Sequence, residues 1–584
     1  MLRFGPILMA LTISAPAVAD EDAKLVAFFK AYLEEQMKSA PYDATRLGDH
    51  RYDDRLDDLS PAARAATLTR NKDALARLPR EVAVDQLSME GKVDYQILRD
   101  SLTRTIWLAE NTNPFEDDPR TWNEYLADSV YLVLAQTTLE KSRSVRDAAS
   151  RITFIPKVVL AAKESLKRPP RVFVETAIKQ NKGSIAFYES GIFALTGETP
   201  AVSALAGPCK SAAAALKDYQ KFLEEDLLPR AKGDWRIGKE KFAKKLDMEL
   251  DAGPGLGADE VLRLAEGEAD RVRNEMYVIA RQLWSKVFPG KPLPPDDAAG
   301  RRACIRLVMA ELGKVHGDVT TLVADAQKTA DEIKAFLKAK DLLRLPDPDR
   351  CAIVEMPEFQ RGNSTAYLNP APPLDPKAQS YYAVSPPPKD WDDRRTRSFL
   401  EEYNRAMMKL LTIHEAYPGH YVQLEYSNRH PSLIRKVLWS GTFAEGWAVY
   451  TEQMMLDQGF GEGDLSLRIH QLKWYLRAVT NAILDHRMHC ANMTDEEAMK
   501  LLVEGAFQTD GEAVGKVIRA KQSSCQLSTY FVGRMAFYRL RQQVSREMGD
   551  TFDLGRYHEA VLAHGTLPVK FLPELVRERL KKPR

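Results

Sequence analysis

The sequence predicts a mainly α fold with one small β-sheet. Three observations carry this. Apolar residues recur at steps of three and four through most of the chain. Short extended pieces gather in a single proline-rich stretch. A chain of 584 residues with 44% hydrophobic and 28% charged side chains can bury its own core, which excludes wholesale disorder and a small disulfide-stapled module. Lys and Arg number 83 against 82 Asp and Glu. That balance excludes a general electrostatic grip on nucleic acid and a polybasic membrane surface.

Residues 1–19 read as a cleavable signal peptide. Arg3 supplies a positive charge, an apolar stretch runs from Phe4 to Ile13, and Ala17-Val18-Ala19 precedes Asp20. The run is short for a bilayer, and no cysteine near the cleavage point offers a lipid anchor. The expectation is an exported chain, periplasmic or secreted, with no stable membrane insertion after cleavage.

Residues 20–350 are expected to form a helical scaffold. Its clearest element is Gly257 to Trp284, where Leu262, Ala265, Ala269, Val272, Met276, Ile279 and Leu283 make one apolar face. Asp259 and Glu260 suit its start, near the positive end of the helix dipole. Thr320 to Leu343 reads similarly, with Leu345-Pro346 as its stop. Asn113-Pro114, Pro169-Pro170 and Gly207-Pro208 punctuate the earlier helices. The five cysteines are Cys209, Cys304, Cys351, Cys490 and Cys525. Export would allow pairs such as Cys304–Cys351 or Cys490–Cys525, and an odd count leaves at least one unpaired. The sequence specifies neither a pairing nor an oligomeric state.

Residues 351–584 are expected to carry the chemistry. Cys351 to Trp391 holds eight prolines. Ala352-Ile353-Val354 and Tyr381-Tyr382-Ala383-Val384 are strand-like within it, which suggests a small edge sheet beside a cleft. Tyr381–Val384 reads equally as a structural hairpin or as an edge that aligns an extended ligand.

Helix resumes after Trp391 and reaches His414-Glu415-Ala416-Tyr417-Pro418-Gly419-His420. Adjacent His-Glu on a helix, with a second His shortly after, suggests a zinc hydrolase site. Imidazoles and a carboxylate hold such a metal, an open position admits water, and the adjacent Glu415 takes its proton. The usual spacing is i and i+4, but that position is Pro418. His420 is at i+6, about 240° around a straight helix from His414. Pro418-Gly419 can break the helix and return His420 to the metal.

A third ligand is expected from Thr442-Phe443-Ala444-Glu445-Gly446-Trp447-Ala448-Val449-Tyr450-Thr451-Glu452. Glu445 sits among apolar residues, and a buried carboxylate needs a partner. Glu452, seven residues on, shares its face and could support the site through a ligand. His489 is the alternative ligand should the Pro-Gly break fail to turn His420 inward. It could also simply pair with Asp485, four residues earlier. The preferred reading places Asp485 and His489 as supports or substrate contacts. Arg477, Arg519 and Arg534 could clamp a carboxylate, with a structural ion pair as the default for each. His558 and His564 read as helix-end partners before Gly565 and Pro568.

These segments resemble the bacterial domain-of-unknown-function 885 family. Its H-E-x-x-P-G-H is followed about 25 residues later by E-G-W-A-x-Y, and both stand here. Arg477, the D-x-x-x-H from Asp485 to His489, the Q-x-x-x-Y-x-x-G from Gln526 to Gly533, Phe552-Asp553 and the stretch His558 to Pro568 are similar too. The resemblance spans roughly residues 350–575. Tyr421 and Ser524-Cys525 depart from it, where the family often has His and Pro-Gly. The family looks similar in plan to helical zinc oligopeptidases of the gluzincin type. The resemblance implies a large helical shell around a deep substrate cleft, with the sheet near the active site. It implies zinc on His414, His420 and Glu445, Glu415 as general base, and Tyr530 as donor to an oxyanion. The implied activity is hydrolysis of short peptides, with no nucleic-acid partner. The alternatives are a zinc hydrolase of non-peptide amides and an exported binding protein with a degenerate site.

Overall fold

The computed structural model describes residues 15–135, 137–356, 366–389 and 391–582. The expected signal peptide lies outside them up to residue 14, and Ala15–Ser39 is the first helix. The fold is mainly α with one three-stranded sheet. Among the described residues, no helix is long and apolar enough to cross a membrane.

The long amphipathic helix runs from Ala258 to Val287, with Asp259 and Glu260 in its first turn. Its buried face holds Ala265, Ala269, Val272, Met276, Ile279 and Leu283. They pack against Tyr475, Leu476 and Val479 of the helix Leu465–Cys490 and against Phe531. A second core joins the first helices (Leu25, Phe29, Leu98) to Leu410, Ile413, Trp447 and Tyr557. It therefore draws on both halves of the chain. A third core is built within residues 122–231. A buried ion pair, Arg435 Nε to Asp94 Oδ1 at 2.5 Å, also links the two halves.

Two local expectations need correction. The helix expected over Thr320–Leu343 is Leu322–Ala339. Asp341 takes φ 48°, and the Leu342 N–H closes on Leu337 O at 3.1 Å, so the chain turns before Leu345-Pro346. Gly207-Pro208 does not interrupt the helix Ser203–Lys221. The buried face of Leu205, Cys209, Ala212, Leu216 and Tyr219 holds the helix together across the missing N–H. All five cysteines are unpaired.

The strands are β1 (Cys351–Glu355), β2 (Ala366–Asn369) and β3 (Ser380–Val384). The order is β1-β3-β2, with β3 parallel to β1 and antiparallel to β2. β3 is thus central. The expectation that Tyr381–Val384 presents an edge is overturned, because both its sides are hydrogen-bonded. The edge beside the site belongs to β2, which the sequence reading did not find.

Candidate metal centre

His414 is the second-last residue of the helix Arg405–Glu415. Asn404 caps that helix by accepting from the N–H groups of Ala406 and Met407. The helix ends where Ala416 leaves helical geometry, at φ −113° and ψ −84°. The chain then doubles back, and the Gly419 N–H donates to Ile413 O at 3.0 Å. A Cβ on residue 419 would stand 1.9 Å from His414 O. Only glycine permits this return. A new helix, His420–Asn428, starts at the second histidine. The two rings finish 4.8 Å apart at 87°, so the break removes the angular mismatch of a straight helix.

Glu445 comes from the helix Gly441–Asp457, capped by the Ser440 hydroxyl, which accepts from the Phe443 N–H. Its Oε2 lies 3.8 Å from His414 Nε2 and 3.5 Å from His420 Nε2. The donor atoms of His414, His420 and Glu445 all fall within 4.8 Å of one another. Donors held ~2.1 Å from a common zinc ion would be about 3.4 Å apart. The spacing fits after a small contraction, and two imidazoles with one carboxylate suit zinc.

The residues around Glu445 explain the rest of its motif. The Trp447 indole donates to Pro418 O at 2.8 Å, which ties this helix to the turn between the histidines. Tyr450 meets His558 Nε2 at 2.8 Å. Glu452 Oε1 lies 2.7 Å from His414 Nδ1 and accepts from the Trp474 indole at 3.1 Å. With its proton on Nδ1, His414 keeps the Nε2 lone pair for a metal. Gly446 meets Gly533 of the helix Thr529–Met548 so closely that a Cβ on residue 446 would lie 2.4 Å from Gly533 Cα. This crossing brings Tyr530, three residues earlier, to Glu445.

The electrostatics follow from burial beside these partners. Burial pushes Glu415 up to about 7, opposed by the neighbouring His420, helped by the charge of Glu445, and opposed again by the Leu368 N–H that donates to its Oε2 at 3.0 Å. Burial and the neighbouring His420 bring His414 down to about 3. Burial opposes charge on His420, yet its hydrogen bond to Glu445 holds it above the ordinary imidazole range. Burial and the Glu445 charge push Tyr530 up to about 12, so its hydroxyl stays protonated. That hydroxyl accepts from Arg519 Nη2 at 3.2 Å and Gln526 Nε2 at 3.3 Å.

His414, Glu415 and Tyr530 line one cavity of about 250 Å³, together with Ala366, Trp474 and Arg477. Arg477 pairs with Glu512 and lies over the Trp474 ring, its guanidinium carbon 4.8 Å from the ring centroid. Arg519 reaches Tyr530 as described. Lys516, which sequence reasoning missed, lines the same cavity. No sequence signal marks it, since a lysine in a polar helix reads as solvated.

Other candidates are elsewhere. Asp485 accepts from the Cys525 N–H and the Ser528 hydroxyl, both at 2.9 Å. His489 Nε2 is shared between Ala520 O at 3.0 Å and Ser523 O at 2.9 Å. Neither supports a metal ligand directly. They brace the segment leading into the Tyr530 helix, so His489 is no substitute for His420. Cys525 itself takes φ 73°, the left-handed region that favours glycine. The departure from Pro-Gly therefore places roughly 1 kcal/mol of strain there. Tyr421 accepts from the Arg350 N–H at 2.7 Å. Arg534 is structural, with Nη1 on the Tyr475 hydroxyl at 2.7 Å. His558 is not a helix-end partner but a core histidine, with Nδ1 2.8 Å from Leu342 O. His564 lies 3.5 Å from Glu90.

Two solved structures share this fold. A "putative lipoprotein of unknown function" from Shewanella oneidensis is 29% identical, with a TM-score of 0.79 over 95% of this chain and 99% of that one. A "putative lipoprotein" from Colwellia psychrerythraea is 18% identical, with a TM-score of 0.75 over 96% and 99%. No curated protein matches the chain. The profile of the family described as "Bacterial protein of unknown function (DUF885)" matches residues 41–576, and the chain belongs to that family.

Proposed function

We propose that this protein is an exported zinc metallopeptidase that hydrolyses short peptides in a helical cleft, similar in plan to the gluzincin oligopeptidases. The observation that carries the reading is the convergence of His414, His420 and Glu445, with Glu415 and Tyr530 lining the cavity that His414 also lines. His414, His420 and Glu445 would hold the metal, while Glu452 fixes the His414 tautomer. Bound zinc supplies Lewis acidity, which acidifies water and polarises a scissile carbonyl.

The chain's own groups do the rest. Glu415 takes a proton from the attacking water and passes it to the leaving amine, as base and then acid. The Leu368 N–H steers the carboxylate and leaves its second oxygen for the water. The Tyr530 hydroxyl, kept protonated, donates to the developing oxyanion. The β2 edge gives an extended peptide a backbone to lie against. Two neighbours described as lipoproteins favour an exported location, although this chain has no cysteine at its expected cleavage point.

The test is metal analysis of purified protein, with cleavage of a mixed short-peptide pool before and after chelation. The reading expects one zinc per chain, cleavage that stops with chelator, and recovery on adding zinc. A metal-free protein that resists zinc loading, or cleavage indifferent to chelator, would overturn it.

A further inference from the structure

Lys516 has no place in the mechanism above, yet it is only 5% exposed and lines the same cavity as His414, Glu415 and Tyr530. Its ammonium has no hydrogen bond and no ion pair among the described residues. A buried cation without a partner is costly. Its neighbours show the contrast. Lys473 is held by Glu402 at 2.7 Å, and Arg477 is paired with Glu512. Arg519, one turn beyond Lys516 on the helix Asp510–Gln522, donates to Gln526 and Tyr530 and meets no carboxylate among the described residues. The cavity wall therefore carries three cations, Arg477, Lys516 and Arg519. Glu512 is already paired with Arg477, and the charge of Glu445, which also acts on Lys516, faces the two histidines. Burial and the two nearby guanidiniums hold Lys516 well below its ordinary value. An arriving anion would reverse that.

We propose that Lys516 and Arg519 form a carboxylate-binding subsite that sets specificity in the metal cavity. The anion is either the free C-terminus of a short peptide or an acidic side chain just beyond the scissile bond. The cavity, about 250 Å³, is below the usual range for small-molecule sites and has room for roughly one or two residues. A terminal carboxylate on Lys516 would thus place the cut near the C-terminal end. The Tyr530 hydroxyl, already tied to Arg519, would lie between the bound carboxylate and the reacting carbonyl. This inference rests on the peptidase reading for its substrate, but not for its anion.

The test uses the full-length zinc-loaded protein and three N-acetylated peptides of one sequence: the free acid, the C-terminal amide, and an amide with glutamate last. The free acid or the glutamate peptide should exceed the plain amide in kcat/KM by roughly a hundredfold, the scale of a charge-assisted hydrogen bond lost in a buried site. The free acid marks a terminal-carboxylate site, and the glutamate peptide a side-chain site. In Lys516→Met, of similar length and uncharged, that preference should collapse to within about threefold, mainly through KM, with zinc content unchanged. Lys516→Arg should restore part of it. Equal cleavage of all three peptides by the parent would overturn the subsite while leaving the peptidase standing. Calorimetric binding of the uncleaved free acid gives a readout independent of turnover. Binding that needs Lys516, in a protein that cleaves nothing, would support the subsite and sink the peptidase. No binding and no preference would overturn the subsite.

Discussion

The surroundings of His414 and the C-terminal end of the helix Leu465–Cys490 are made of the same parts. Each has a buried histidine and a buried carboxylate, and burial lowers the proton affinity of both imidazoles. The difference is where the polar atoms are spent. His489 gives its Nε2 to two backbone carbonyls, and Asp485 gives both oxygens to the Cys525–Ser528 turn. His414 spends only Nδ1, on Glu452, and leaves Nε2 facing His420 and Glu445. Burial and a shifted pKa therefore do not mark a site. Unspent donor atoms that converge do.

Removing the proposed ligands should break the comparison most severely. His414→Ala and Glu445→Ala should each lose zinc affinity by several orders of magnitude, with cleavage at background. Stoichiometric zinc in purified Glu445→Ala would move the third ligand elsewhere. Next in size, Glu415→Gln should keep its zinc while turnover drops about 10²- to 10⁴-fold. Zinc loss in that variant would make Glu415 a ligand, and parental turnover would end its role as base. Glu452→Gln should weaken zinc about 10- to 100-fold, read by competition with a chelator. Unchanged affinity would mean that the contact to Nδ1 does not tune the site.

The smallest effect sharpens the contrast from the other side. Asp485→Ala leaves the Cys525 N–H without its acceptor and should cost about 1–3 kcal/mol in denaturant unfolding. Its zinc content should match the parent. Zinc loss there would erase the distinction between the two regions.

Much of this was legible in the sequence, for reasons that differ by residue. The long apolar face at Ala258–Val287 is a local pattern and carries its own signal. The break after Glu415 could be derived because Pro418-Gly419 and the six-residue spacing are also local. The Gly446–Gly533 contact could not, since each glycine is informative only once the helices cross. β2 escaped because four residues in a proline-rich stretch show no period. With β2 unseen, nothing in the sequence marked β3 as the central strand that pairs on both sides. Asp485 and His489 were placed too near the chemistry because four-residue spacing gives a common face but not what that face meets.

The glycine crossing has one more consequence. Most helix pairs are separated by a cushion of side chains that can reshuffle as a protein warms or accepts substitutions. At Gly446 and Gly533 there is no cushion, so the gap between Glu445 and Tyr530 is set by the thickness of two backbones. The pair works as a fixed gauge block. Sequence drift can remodel the walls of the cavity, and with them what enters it, while the separation of carboxylate and phenol stays as it was.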